Sequence, residues 1–154
     1  MAAHAESPAA AIRPVVQLYS DFAASAVLKE PKPQWIIDQT DAVWSRYFSD
    51  ELVRLLRRDL ECTNRTKEIC RLDFDPIWAS QDPAATQLRI VAGKRDREVD
   101  VSFVYPGSQH KKTLRYEVSK HRGKWRTDDI TYVDIKYVDM GIGLRELLQR
   151  PWPK

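Results

Sequence analysis

The side chains of this sequence that could take part in chemistry are mainly aspartates, which occur in two close pairs. Asp73 and Asp75 are separated by one residue, and Asp128 and Asp129 are adjacent in the stretch GKWRTDDITY. Two carboxylates held close together can act as a general acid and a general base. Neighbouring side chains on a β-strand point to opposite faces, however, so Asp128 and Asp129 are not expected to line one pocket. The two pairs are therefore better candidates for structural or binding roles than for catalysis.

Other catalytic groups are scarce in the sequence. The histidines are His4, in the N-terminal tail, and His110 and His121, in predicted turns. The sequence contains no HExxH motif, no glycine-rich phosphate loop and no nucleophile elbow. No serine has a histidine and an acid in a supporting arrangement. We therefore expect no catalytic residue, no metal site and no cofactor, and we do not expect an enzyme.

The two cysteines, Cys62 and Cys70, lie close together in the polar segment ECTNRTKEIC. The alternative to a disulfide is a metal site, but the pair has neither a second cysteine pair nor a neighbouring histidine. In a chain with features of an exported protein, this spacing predicts a local disulfide.

Those features lie at the N-terminus, where Ala3-His4-Ala5 matches the small-x-small pattern that precedes signal peptidase cleavage. The basic and apolar regions of a signal peptide are missing, so Met1 is interpreted as a start added to a shortened chain. The alternative is a flexible, alanine-rich start. We predict a disordered remnant around a cleavage site at residues 1–8, a single domain at 9–150 and a tail at 151–154.

The composition is that of one globular domain. Of the 154 residues, 43% are hydrophobic and 31% are charged, which are ordinary values. The net charge of +3 comes from 25 basic and 22 acidic residues. Because this surplus is small and dispersed along the chain, we expect no nucleic-acid partner. No apolar run is long enough to span a bilayer, and a lipid anchor upstream of the chain is left open.

Hydrophobic spacing predicts helices in the first part of the chain and strands after about Thr86, where the period becomes two. Three helices are expected first, at about 9–27, at about 34–47 and from Asp50 onward, the last with Leu60 facing inward. Four strands are expected to follow, near 88–92, 99–105 and 114–118 and from 125 onward. A last helix is expected at 143–149. This order predicts an α+β fold, with N-terminal helices packed on one face of a curved antiparallel sheet of about four strands. Such a fold leaves a cone-like space between helix and sheet.

In the last strand, Trp125 is expected to be structural and to face the core. Alternation then places Thr127 and Asp129 on the same side, and Arg126 and Asp128 on the other. Asp129 is therefore predicted to be a structural, partly buried carboxylate. Its expected partners are backbone N–H groups of the Asp-Pro segment or an arginine on a helix. That Asp-Pro segment is itself expected to open a short helix.

Three short patches resemble the motifs of a known family. DFDPIWASQD (73–82), KWRTDDITY (124–132) and GLRELL (143–148) are similar to a bacterial family of exported proteins of unknown function with a cystatin-like, nuclear-transport-factor-2-like fold. The similarity extends over about residues 10–149. Three features depart from the family pattern: Thr127 replaces an apolar residue, Gly143 replaces a serine, and the insert VDIKYVDMGI is expected to lengthen the last strand.

The resemblance implies a periplasmic binding protein, because some members of that family are immunity proteins that neutralise secreted antibacterial effectors. The expected partner is a cognate secreted effector, and the expected state is a monomer or a weak homodimer. The alternatives are a small-ligand-binding protein that uses the cavity between helix and sheet, and an accessory protein of the cell envelope. The residues expected to bind a partner are Asp73, Asp75, Gln81, Asp82, Arg126 and Asp128.

Overall fold

The computed structural model describes residues 7–134 and 141–151. The helices are α1 (Pro8–Val27), α2 (Asp41–Trp44), α3 (Asp50–Thr66) and α4 (Leu144–Gln149), with a 3-10 turn at Ile36–Asp38. The strands are β1 (Thr86–Ala92), β2 (Glu98–Val104), β3 (Lys111–His121) and β4 (Lys124–Tyr132). Most of the predicted N-terminal remnant, most of the predicted tail and residues 135–140 of the insert lie outside the described residues.

The sheet is antiparallel, and its strands lie in the order β1-β2-β3-β4. One face is apolar, with Val101, Phe103 and Tyr116 at most 1% exposed. The opposite face is polar, and there Nε of Arg115 donates to Oδ1 of Asp100 at 2.9 Å. The period of two read from the sequence therefore gives one core face and one polar face, as predicted.

Helix α1 lies across the sheet and contacts all four strands. Its buried stripe includes Val15, Leu18, Tyr19 and Phe22, which recur at helical spacing. Both apolar surfaces are covered when this stripe packs against the core face of the sheet. The predicted fold class, α+β with N-terminal helices on a four-stranded antiparallel sheet, is confirmed.

The single helix predicted at 34–47 is wrong. The segment contains the 3-10 turn and the short helix α2, and Gln39 and Thr40 between them are extended. The indole N–H of Trp44 donates to the carbonyl oxygen of Ile36 at 2.6 Å. The same carbonyl accepts the backbone N–H of Gln39 at 3.2 Å, which closes the 3-10 turn, so the indole of Trp44 ties α2 back to that turn.

Helix α3 begins at the predicted residue and continues to Thr66, further than the apolar pattern indicates. Leu60, predicted to face inward, is 39% exposed, whereas its neighbour Asp59 is 6% exposed. The carboxylate of Asp59 accepts the backbone N–H groups of Arg71 at 3.0 Å and Leu72 at 3.2 Å. Asp59 therefore takes the inward position of this turn and fixes the chain that follows the helix.

The predicted disulfide between Cys62 and Cys70 is present and links α3 to the segment after it. Its removal in a Cys62→Ala/Cys70→Ala variant is expected to lower the free energy of unfolding by about 2.6 kcal/mol, because the closed loop restricts the unfolded chain. Urea unfolding of the wild-type protein and the variant measures this difference. Equal midpoints would show that the bridge contributes nothing to stability.

Candidate functional site

The segment with the first aspartate pair forms a tight turn rather than the predicted short helix. Asp75 and Ser80 form an antiparallel bridge, in which the N–H of Asp75 donates to the carbonyl of Ser80 at 2.9 Å. The carbonyl of Asp75 accepts the N–H groups of Trp78 at 3.2 Å and Ala79 at 2.8 Å. Ala79 adopts a positive φ of 51°, which reverses the chain before a helix can continue.

This turn forms one wall of an open cleft of about 460 Å³. Three of the predicted partner-binding residues, Asp73, Gln81 and Asp82, line the cleft and are exposed. The side-chain amide of Gln81 donates to Oδ2 of Asp73 at 3.4 Å. The structure therefore brings together, at the surface, the part of the predicted site that lies in one segment.

Two residues that the sequence did not single out complete the cleft. The ammonium group of Lys112 lies 5.3 Å from the centre of the Tyr105 ring, a distance at which a cation is attracted to the ring face. Burial lowers the pKa of Lys112. The cleft thus presents carboxylates on one wall and a lysine with an aromatic ring on the other. The one available signal was that Tyr105 and Lys112 flank the same predicted turn.

Asp75 differs from the other predicted binding residues because it is buried, with 4% of its surface exposed. Its carboxylate accepts the N–H of Ile77 at 3.1 Å and that of Ile37 at 3.4 Å, which joins the turn to the 3-10 segment. Burial raises the pKa of Asp75 to about 7, against the opposing effect of these hydrogen bonds. The prediction that Asp75 touches a partner is corrected, because its side chain lies beneath the surface.

Three tyrosines occupy the space beneath the turn. The hydroxyl of Tyr19 donates to the carbonyl of Ile77 at 2.5 Å and lies 2.8 Å from the hydroxyl of Tyr116. The hydroxyl of Tyr132 donates to the carbonyl of Pro76 at 2.8 Å. All three rings are at most 1% exposed, and burial raises the pKa of each phenol. Side chains therefore fill this part of the space between α1 and the sheet.

The second aspartate pair is shaped by a β-bulge. Across β3 and β4, Val118 pairs with Thr127 and Glu117 pairs with Asp129, so Asp128 is an extra residue in β4. Thr127 is buried beside Val118, whereas Asp129 lies opposite the exposed Glu117. The predicted placement of Thr127 and Asp129 on one side is wrong, because the inserted residue shifts the alternation by one position.

Asp128 belongs to a polar cluster at the end of the sheet. Its Oδ1 lies 2.6 Å from Nε2 of His121, and its Oδ2 accepts the hydroxyl of Ser119. The same Nε2 lies 2.9 Å from the Ser119 hydroxyl. A catalytic triad needs the histidine to contact the serine with one ring nitrogen and the acid with the other. Since both contacts fall on Nε2, this cluster is not a triad.

Asp129 holds the start of α4. Its Oδ1 accepts the backbone N–H groups of Ile130 at 2.9 Å and Arg145 at 3.0 Å, and burial raises its pKa. The partners are thus backbone N–H groups, as predicted, but one comes from α4 and none from the Asp-Pro segment. A Cβ atom on Gly143 would lie 2.6 Å from Oδ2 of Asp129. This close approach leaves no room for a side chain at position 143 while the Asp129 carboxylate keeps its place.

Trp125 and Arg126 lie at a third position, near the β3–β4 turn. Trp125 is partly buried and packs against the core. The guanidinium of Arg126 donates to the carbonyls of Ser45 at 2.9 Å and Trp125 at 2.8 Å. The six predicted binding residues therefore fall in separate places: the cleft, the buried turn beneath it, the Asp128 cluster and the Arg126 position.

Comparisons with known proteins extend the fold assignment. No protein-family model matches the sequence, and a comparison with curated proteins gives no match. A solved structure of a protein of unknown function from Bacteroides thetaiotaomicron is similar, with a TM-score of 0.51 and 22% sequence identity. The alignment covers 79% of this chain and 88% of that one. The likeness is one of fold, and the family suggested by the three sequence patches stays a prediction.

None of the helices within 7–134 and 141–151 is long and apolar enough to cross a membrane. In the same ranges, no group of three or more His, Cys, Asp or Glu side chains is arranged to hold a metal ion.

Proposed function

We propose that this is an exported immunity protein that binds a secreted antibacterial effector and neutralises it. The proposal rests on the contrast between the interior and the surface at the turn. Side chains, including Tyr19, Tyr116 and Tyr132, fill the space beneath the turn, whereas Asp73 and Asp82 are exposed on an open cleft. Protein interfaces typically combine aromatic anchors with a polar, solvent-accessible rim, to which exposed carboxylates such as these would belong. The three sequence patches that resemble a family with immunity proteins support the same function.

Export is supported by the Cys62–Cys70 disulfide. Disulfides persist in oxidising compartments such as the bacterial periplasm and are rare in the cytosol. The periplasm is the compartment in which an effector delivered by a neighbouring cell would meet the protein. We therefore place the proposed interaction there.

A second candidate, the binding of a small ligand, is favoured by the dimensions of the same cleft. Its volume of about 460 Å³ lies within the range of small-molecule pockets. Two exposed carboxylates and a lysine beside Tyr105 would suit a polar ligand carrying a positive charge.

A growth assay tests the proposed function. Some members of the family that the three sequence patches resemble are encoded beside the toxin that they neutralise. Bacteria that export the product of the gene adjacent to this one are therefore expected to stop growing, and co-export of this protein is expected to restore growth. The same protein retained in the cytoplasm should not protect, because effector and inhibitor would be in different compartments. Protection by neither form would contradict the proposal.

An Asp73→Ala/Asp82→Ala variant is expected to weaken binding of that effector by about tenfold, since each truncation removes a charged contact at the cleft. A Glu30→Ala/Glu61→Ala variant is the matched control, because it removes two exposed acids that do not line the cleft. Equal affinities for the two variants would show that the effector binds elsewhere on the protein.

A further inference from the structure

Basic residues are concentrated where β3 turns into β4. In the segment 120–126, four of seven residues are lysine or arginine, and Trp125 lies among them. Arg122 and Gly123 both have positive φ, at 54° and 78°, which closes the two strands into a tight hairpin. The hairpin therefore carries these charges on a rigid support at one end of the sheet.

The fold adds two arginines from distant parts of the chain. Arg13 of α1 and Arg46, which follows α2, line an open groove together with Lys120 and Arg126 of the hairpin. No aspartate or glutamate of the described residues lines this groove. The chain as a whole has 25 basic and 22 acidic residues, so the groove is a local excess of positive charge. The sequence shows the basic hairpin but not the addition of Arg13 and Arg46, which are far from it along the chain.

Two arginines of the groove contact neutral groups. Arg126 donates to the carbonyls of Ser45 and Trp125, and Arg46 interacts with the hydroxyl of Tyr47. Asp21 accepts the Tyr47 hydroxyl at 2.5 Å, but it is outside the lining of the groove. Asp21 also accepts the side-chain amide of Gln17, which lines the groove, so one carboxylate lies at the edge of a groove lined by four basic side chains.

The floor of the groove is apolar. It contains Ile12, Val16 and Trp125, and Val16 is 41% exposed although it is an aliphatic residue. The ammonium group of Lys120 lies 5.8 Å from the centre of the Trp125 ring, so this ring face is already occupied by a cation. A surface with an aliphatic floor and a basic rim favours a ligand that combines an apolar anchor with negative charges.

We propose that this groove docks an acidic segment of a partner protein, with one apolar side chain of that segment seated on Ile12 and Val16. A single-stranded nucleic acid needs open aromatic faces on which bases stack, and Lys120 covers the Trp125 ring. The surface is separate from the Asp73 cleft, so the inference stands independently of the proposed function.

A peptide-selection experiment tests this inference with a defined probe. A displayed library of random 12-residue peptides is selected on the wild-type protein at low ionic strength. Enriched sequences are expected to be rich in aspartate and glutamate and to share a leucine, isoleucine or phenylalanine. Their affinity should fall as salt is raised, since the rim contacts are between exposed charges.

Variants locate the binding surface. The Arg13→Glu/Arg46→Glu variant is expected to bind the best enriched peptide about tenfold or more weakly than the wild-type protein does. The Val16→Ser variant should also bind it more weakly, but with the same dependence of affinity on salt. The matched control is Arg89→Glu/Lys94→Glu, which makes the same change of charge at exposed residues outside the groove. Thermal melts of all variants show whether each remains folded.

The outcomes separate the inference from its alternatives. Acidic, apolar-anchored peptides that depend on Arg13, Arg46 and Val16 would support it. Enrichment of basic or uncharged peptides, or equal weakening by the control variant, would overturn it. Tighter groove-dependent binding of a single-stranded oligonucleotide, or of vesicles containing phosphatidylglycerol, would also overturn it in favour of that ligand.

Discussion

The free energy of unfolding is expected to fall as the pH rises from about 4 to about 7, and Asp75→Asn is expected to remove most of this fall. Burial raises the pKa of Asp75 from 3.8 to about 7. Between these values the folded protein retains a proton that the unfolded chain has released, so each pH unit removes about 1.4 kcal/mol of stability. The contribution of the Asp75 carboxyl to the free energy of unfolding is fully present below about pH 4. It is lost as the pH rises through about 7, and the total loss is up to about 4 kcal/mol.

Urea unfolding at one-unit intervals of pH measures this slope. Asp73→Asn is the matched control, because it makes the same substitution two residues away at an exposed position. Burial also raises the pKa values of Asp59 and Asp129, so a smaller slope of the same sign should remain in the Asp75 variant. Identical slopes for the Asp75 and Asp73 variants would show that the carboxyl of Asp75 is not responsible.

The second large effect is expected at Asp129. Asp129→Ala should lower the free energy of unfolding by about 1.5–3 kcal/mol, because it removes the acceptor of the Arg145 N–H and leaves the start of α4 without its cap. Thermal or urea unfolding near neutral pH provides the measurement. Gly143→Ala should act in the same direction, since its new Cβ would displace the same carboxylate.

Asp128→Ala is the control for this prediction, because the same residue type is removed from the adjacent position. Asp128 is hydrogen-bonded to Ser119 and His121 at the surface and does not cap a helix. We expect its loss to change stability little. Equal and negligible shifts for Asp128→Ala and Asp129→Ala would mean that neither acid has a structural role, and the pair would then have to be considered as a functional site.

Much of the fold follows from periodicity in the sequence. The helical stripe of Val15, Leu18 and Phe22 and the alternation in β2 and β3 depend on local spacing, and both were predictable. The bulge at Asp128 was not, because an unpaired residue is defined by its partner strand and leaves no mark in β4 alone. The break between the 3-10 turn and α2 likewise depends on Trp44 reaching back to Ile36.

The candidate site could be predicted only where its residues are close in sequence. Asp73, Gln81 and Asp82 fall in one turn, and the structure places them on one cleft. The sequence does not distinguish the buried Asp75 from the exposed Asp73, because the burial of Asp75 results from the packing of α1 and the 3-10 segment against the turn. The basic groove was missed since Arg13, Arg46 and the hairpin meet only in the folded chain.

The measurement that tests the proposed function most directly is calorimetric titration of the purified, disulfide-bonded protein with the product of the adjacent gene, the expected effector, together with an assay of that product's activity. The account predicts a one-to-one complex in which the effector is inactive, with binding weakened about tenfold by Asp73→Ala/Asp82→Ala. An effector that does not bind, or that stays fully active when saturated with this protein, would contradict it.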